Sequence, residues 1–243
     1  MTKGFIRNHR LNTPLVESPF FEKVIENIQL TKKTKDIASK FHRDGYAIID
    51  LSLSSSMIKC MIDQFKDKNN NERSKKNSDF FSYNSSPRIV DAGKWCSEVV
   101  DIALHDEVLD LLRHFYQSEP IPFSTINFLK GTEQPLHSDT IHFGTIPKSF
   151  LAACWVALED VGPDNGGLTV VPGSHKLKDI DFYDLNISPP KNMKLVEDIY
   201  REYEMYIADL VKQLNLEKKI VKLKKGQALI WAANLLHGGS KII

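Results

Sequence analysis

"SFLAACWVALEDVGPDNGGLTVVPG", residues 149–173, decides the fold. It holds two short apolar runs, divided by a segment that contains Gly162, Pro163, Asn165, Gly166 and Gly167. Short apolar runs bounded by Gly, Pro and Asn are the punctuation of strands. The pattern recurs upstream in "FSTINFLKG" (123–131) and downstream in "KKIVKLKKG" (218–226) and "QALIWAANLLHGG" (227–239). One interruption, "KLVEDIYREYEMYIADLVKQLN" (194–215), keeps helical spacing without Pro or Gly and predicts an inserted helix. Several short strands with turn signals predict a sandwich or barrel with helices packed outside, a mainly β chain with flanking helices (α+β).

The first half reads differently. "DIASKFHRDGYAIIDL" (36–51) predicts a helix ending near Gly45, then a strand at 46–50, because glycine reaches the left-handed conformation of a helix C-cap without penalty. A helix follows the serines at 54–56, with Met57, Ile58, Met61, Ile62 and Phe65 at helical spacing. "KDKNNNERSKKNSD" (66–79) has no apolar residue and reads as a solvated or disordered loop, with a mobile lid over a site as the alternative. Residues 97–117 predict one helix burying Val100, Leu104, Val108, Leu111, Leu112 and Phe115. Residues 1–34 read as an N-terminal arm with one short helix, and 35–243 as one domain.

Composition narrows the class. A chain of 243 residues with 42% hydrophobic content can bury a sizeable core. A formal charge of +1 argues against broad attraction to nucleic acid or anionic membrane. No apolar run reaches the roughly 18 residues of a membrane span, and the N-terminus lacks the apolar core of a secretory signal. Cys60, Cys96 and Cys154 are an odd number without C-x-x-C spacing, so a reduced, cytoplasmic protein is expected.

The chemistry centres on "QPLHSDTIHF" (134–143). About one His-x-acid triplet is expected by chance from this composition, yet there are three. His105 and Glu107 fall in a predicted helix, where residues two apart point about 200° away from each other. His42 and Asp44 sit at a helix end, where a histidine serves the cap and dipole. His137 and Asp139 lie in extended chain, where alternate side chains share a face. A third ligand must come from elsewhere. His237, in "LLHGGS", has two glycines that leave room around it; His142 and His175 compete for the role. Two histidines and one carboxylate on one face match the facial triad of non-haem iron(II) oxygenases.

Three ordered blocks then carry a resemblance: "LHSD", "CWVALEDVGPDNGGLTVVPGSHK" (154–176) and "KKGQALIWAANLLHGGS" (224–240). From "FHRDGYAIIDL" at 41 onwards the chain resembles the phytanoyl-CoA dioxygenase-like family of iron(II)- and 2-oxoglutarate-dependent oxygenases. The resemblance implies a double-stranded β-helix (a cupin-like jelly roll) with Fe(2+) at its open end, held by His137, Asp139 and His237. It implies 2-oxoglutarate as cosubstrate and O2 as oxidant, giving succinate, carbon dioxide and hydroxylation of an unactivated C–H bond in a small molecule. The Asp139 carboxylate favours hydroxylation over halogenation. Alignment also places Arg88, Ser124, Asn127 and Trp155 as 2-oxoglutarate contacts, while the hydrophobic character of Phe143, Ile146 and Phe150 alone makes them pocket candidates.

The resemblance has one departure. Relatives carry a basic residue, usually arginine, beyond the distal histidine, where it grips the far carboxylate of 2-oxoglutarate. This sequence stops six residues after His237, at "GGSKII". Lys241 is a poor substitute for a bidentate guanidinium, and Gly239 stands where some relatives have a hydroxyl. The expectation is a chain truncated at its C-terminus, with a natural short form impaired in 2-oxoglutarate binding as the alternative. The alternative function is a non-catalytic metal-binding β-helix protein, a sensor or scaffold. A hydrolase using "HGGS" would need a G-x-S-x-G turn, which the sequence lacks.

Overall fold

In the computed structural model, residues 12–72, 80–83, 86–187 and 196–243 are described. A 3-10 turn at Leu15–Glu17 and helix α1 (Phe21–Asn27) lead into α2 (Lys32–Asp44). Thr31 caps α2 by accepting the Thr34 N–H at 3.1 Å, and Gly45 ends it at φ +82°. A Cβ at Gly45 would lie 2.5 Å from His175 Nδ1, so both the conformation and the space require glycine. Then follow β1 (Tyr46–Asp50), α3 (Ser55–Glu72), β2 (Phe80–Tyr83), β3 (Ser86–Val90), α4 (Ser97–Ala103) and α5 (Asp106–Tyr116). The second half supplies β4 (Ile126–Phe128), β5 (Ala152–Val156), β6 (Leu168–Val170), α6 (Val196–Gln213), β7 (Lys219–Ile220), β8 (Gln227–Ala232) and β9 (His237–Gly239).

The strands form three small antiparallel sheets, in the orders β1-β8-β5, β2-β3-β4 and β7-β6-β9. Strand β8 is the hinge of the packing. Its Ala228, Ile230 and Ala232 face a helical layer containing Phe21, Ile25, Phe41, Leu111 and Phe115. Its Leu229 and Trp231 face the opposite way, toward Tyr46, Val170 and Leu235. A strand covered on both faces needs a continuous apolar run instead of alternation, which is what "QALIWAA" provides. Each fully buried Leu, Ile or Phe contributes about 1.5–3 kcal/mol, so β8 and its neighbours anchor the molecule.

Four expectations change. The helix α3 continues through Glu72, into the stretch read as a loop: residues 66–72 are polar but contain no helix breaker. Residues 73–79 of that loop lie outside the described residues. The helix expected over 97–117 is two, because His105 takes an extended conformation (φ −62°, ψ 121°) and becomes the cap of α5, with Asp106 and Glu107 favouring a new N-terminus. The break rotates the buried face, so Val100 and Leu104 are 40% and 51% exposed while Val99 is buried. Finally, the run "QALIWAANLLHGG" is not one strand: a turn at residues 233–236 separates β8 from β9, and His237 is the first residue of β9. The β2–β3 hairpin is an addition to the strands expected from sequence.

The segment before α2 joins the core through Leu15, Val16, Phe21 and Ile25. Glu17 is drawn in with it. One of its carboxylate oxygens is buried without a hydrogen-bond partner, and burial pushes its pKa up to about 7, against a compensating bond from Ser149. The folded state therefore binds this proton more tightly than the unfolded chain. Its stabilising effect is complete below the unfolded value of 4.5 and is lost as pH rises through 7. Glu17→Gln is expected to stabilise the protein by roughly 1–3 kcal/mol at pH 8 and by far less at pH 5. Urea unfolding at the two pH values checks this; an equal effect at both would show that Glu17 does not titrate between them.

Candidate metal centre

His137 and His237 are paired across an antiparallel bridge, each backbone N–H donating to the other's carbonyl, at 2.8 and 2.9 Å. Residues directly opposite in such a bridge present their side chains on one face. Asp139 is held in the same register by its N–H donating to Ala233 O at 2.7 Å. Alternation then puts His137 and Asp139 on the face shared with His237, and Ser138 on the other. The two glycines after His237 allow the approach: a Cβ at Gly238 would lie 2.6 Å from Gln134 O, and one at Gly239 2.8 Å from Glu133 N.

The result is a cluster in which one ligand atom from each of His137, Asp139 and His237 lies within 4.8 Å of the others. Among the described residues it is the grouping of three or more His, Cys, Asp and Glu side chains with that geometry. Both histidines are buried, and their ring centroids are 4.5 Å apart. Each Nδ1 lies near the carbonyl two residues before it, His137 at 2.8 Å from Pro135 O and His237 at 3.0 Å from Leu235 O. A carbonyl only accepts, so Nδ1 carries the proton and the Nε2 lone pair faces the cluster. Trp231 Nε1 donates to Asp139 Oδ2 at 2.9 Å, leaving Oδ1 to face His237 Nε2 at 3.6 Å.

The electrostatics agree with a cation site. Burial and the neighbouring His237 hold His137 down to about 3, and burial holds His237 to about 4. Both imidazoles are neutral at neutral pH. Burial pushes Asp139 up, opposed by His137 and by the Trp231 bond. A carboxylate in that position lacks a compensating positive charge, which a divalent ion supplies.

Around the cluster lies a polar rim. Gln134 Oε1 accepts from Arg88 Nη2 at 3.0 Å, which turns the amide nitrogen toward His137 Nε2 at 3.2 Å and Tyr200 OH at 3.2 Å. His142 Nε2 lies 3.0 Å from the same Tyr200 hydroxyl. Arg88, buried in β3, stacks its guanidinium 5.4 Å from the Phe128 ring centroid. Of the other residues expected from sequence, Ser124 donates to Asp91 and Asn127 to Ile89 O, both along β4 and its neighbours. Trp155 packs in the apolar cluster beside Leu229 and Trp231. His175 sits elsewhere, near Gly45, with Nε2 3.1 Å from His42 O. Lys241 is exposed. Phe143 and Phe123 form an edge-to-face pair at the surface, Ile146 is fully exposed, and Phe150 packs on the helical core beside Tyr116.

Sequence reasoning missed Trp231, Gln134, Tyr200 and, behind the 137–139 segment, Tyr203, whose hydroxyl accepts the Ser138 N–H. Gln134 stands in the same quoted decapeptide as the triplet, and Trp231 shares a strand face with residues near the site. The tyrosines had no such signal, since α6 enters from an insertion whose docking position no local pattern reveals.

A family profile described as Phytanoyl-CoA dioxygenase (PhyH) matches residues 41–242. The peroxisomal phytanoyl-CoA dioxygenase of Mus musculus is 28% identical over 114 residues, 46% of this chain. That alignment takes in 30% of the mouse protein, so the match spans under a third of the relative's length. A probable phytanoyl-CoA dioxygenase of Caenorhabditis elegans is 40% identical over 45 residues, 18% of this chain and 14% of that one. Among solved structures, EctD from S. alaskensis with 2-oxoglutarate and 5-hydroxyectoine superposes with a TM-score of 0.64 at 18% identity, covering 89% of this chain and 72% of that one. The non-heme alpha ketoglutarate dependent carbocyclase SnoK from nogalamycin biosynthesis gives 0.61 at 16% identity, covering 89% and 79%. These likenesses place the fold among theirs, with mixed helices and strands. No helix among the described residues is long and apolar enough to cross a membrane.

Proposed function

Because this chain belongs to the phytanoyl-CoA dioxygenase family, we propose that it is an iron(II)- and 2-oxoglutarate-dependent dioxygenase hydroxylating an unactivated C–H bond of a small molecule. We also propose that its three sheets are parts of a double-stranded β-helix formed by residues 35–243, and that it works in a reducing, cytoplasmic setting. The observation that carries the reading is the convergence of His137, Asp139 and His237 with both Nε2 lone pairs presented inward. Neutral imidazoles and one carboxylate on one side are a donor set suited to ferrous iron with open positions. Bound there, iron and 2-oxoglutarate would supply the activation of O2, the oxidant, with one oxygen atom entering the C–H bond and the other the succinate formed as 2-oxoglutarate loses carbon dioxide.

The protein's own residues do the rest. The two histidines and Asp139 Oδ1 would hold the ion, while the Trp231 N–H fixes the carboxylate's rotation through Oδ2. Arg88 is a fixed, buried cation beside the cluster, suited to a carboxylate of the cosubstrate, and Gln134 and Tyr200 offer further hydrogen bonds there. Ser124, Asn127 and Trp155 complete the proposed cosubstrate contacts.

Anaerobic titration with Fe(II) and then 2-oxoglutarate is expected to produce the visible charge-transfer band of the chelate, and aerobic incubation to release succinate. Iron binding without the band or succinate would leave a metal-binding scaffold. No iron binding would remove the reading altogether.

A further inference from the structure

The face of the ligand segment turned away from the cluster carries a second set of contacts. Ser138, between the two ligands, is 2% exposed, and its backbone N–H donates to Tyr203 OH at 3.1 Å. Ser138 Oγ lies 3.0 Å from the same phenol oxygen and 2.8 Å from Thr140 Oγ1, which donates to Asp179 Oδ1 at 2.6 Å. The carboxylate at the end fixes every proton. Thr140 gives its proton to Asp179, so it accepts from Ser138. Ser138 in turn accepts from Tyr203, and the phenol oxygen is left to accept the Ser138 amide. The chain is complete, with each hydroxyl donating once. It joins three separated pieces of sequence: the ligand segment, the loop bearing Asp179, and α6.

Tyr203 is fully buried, packed with Val171, Ile207 and Leu236, so its hydroxyl is held in place by an apolar setting. On the metal reading above, we infer that Tyr203 is a positioning residue for the ion. By pinning the Ser138 amide it fixes the extended backbone that aims His137 and Asp139 at one point, although it touches neither side chain. The inserted helix thus has a task at the metal centre, delivered through one hydroxyl. Supports of bound ligands typically change metal affinity 10–100-fold when removed.

The test measures Co(II) affinity by its visible absorption, together with urea midpoints, for wild type, Tyr203→Phe and Tyr116→Phe. Tyr116 is the matched comparison: it is buried and its hydroxyl donates to Leu151 O at 3.1 Å, in the helical core. Tyr203→Phe is expected to weaken Co(II) about tenfold and to alter the shape of its spectrum, while Tyr116→Phe loses stability but stays within about twofold in affinity. Should Tyr203→Phe not fold, Thr140→Val cuts the same chain one link away and is expected to weaken Co(II) in the same direction. Equal affinity in Tyr203→Phe and wild type would overturn the inference, as would equal weakening in both phenylalanine variants. Failure of wild type itself to bind Co(II) would instead overturn the metal reading beneath it.

Discussion

His237→Ala is expected to lower Fe(II) affinity by roughly a hundredfold or more and to reduce 2-oxoglutarate turnover to background. The effect exceeds the 10–100-fold typical of supporting groups because it deletes a bond to the ion itself. Its origin lies in the paired backbone. His237 and His137 face each other across a two-bond bridge, so neither neighbour can rotate a substitute ligand into the gap. His142, the nearest further imidazole by ring contact, is 5.9 Å from His137 centroid to centroid and engages Tyr200. The alanine also strands the Leu235 carbonyl that accepted from Nδ1, a loss of about 1 kcal/mol or a little more. Anaerobic titration with circular dichroism on the same samples separates the two effects. Affinity retained within tenfold would exclude His237 as a ligand.

Gly238→Ala is expected to damage stability and metal binding together. The added Cβ would stand 2.6 Å from Gln134 O and 3.0 Å from Pro135 C, both backbone atoms that cannot rotate aside. Relief requires the segment around residues 134–137 to move away from β9, which opens the bridge that aligns the two histidines. Overpacking of this kind costs about 1–3 kcal/mol, and the same movement is expected to weaken Co(II) about tenfold, on the scale of lost ligand support. Gly144→Ala is the control, since nothing lies within 4 Å of its added carbon; its effect on stability is expected within about 0.5 kcal/mol. Identical urea midpoints and affinities for the two variants would refute the close approach.

Much of this centre was legible in sequence because it is built from local rules. Alternation in extended chain puts His137 and Asp139 together, and the glycines after His237 announce that something must come close. The strand character of 149–173 was equally local, as was the helix stop at Gly45. What escaped depends on long-range packing. Trp231 reads as one more apolar residue of β8 until its indole is seen against Asp139. The helix of 194–215 is plain in its periodicity, yet nothing in that pattern says that Tyr203 meets Ser138, 65 residues away. The break at His105 was missed for the opposite reason: an apolar spacing continued through it, and periodicity cannot register a change of helix axis. The helix through 66–72, a stretch polar in sequence, shows that polarity alone does not end a helix.

The bridge between His137 and His237 has a consequence for the molecule's mechanical coherence. The two residues are about a hundred positions apart, and the interval between them contains β5, β6, α6, β7 and β8. An ion tying both imidazoles would act as a clasp on that ring, holding its two ends together in the folded chain. Since it would bind only the folded arrangement, the grip tightens with the logarithm of free metal concentration. Iron supply would then set the resistance of this ring to heat and proteases as well as its rate of turnover.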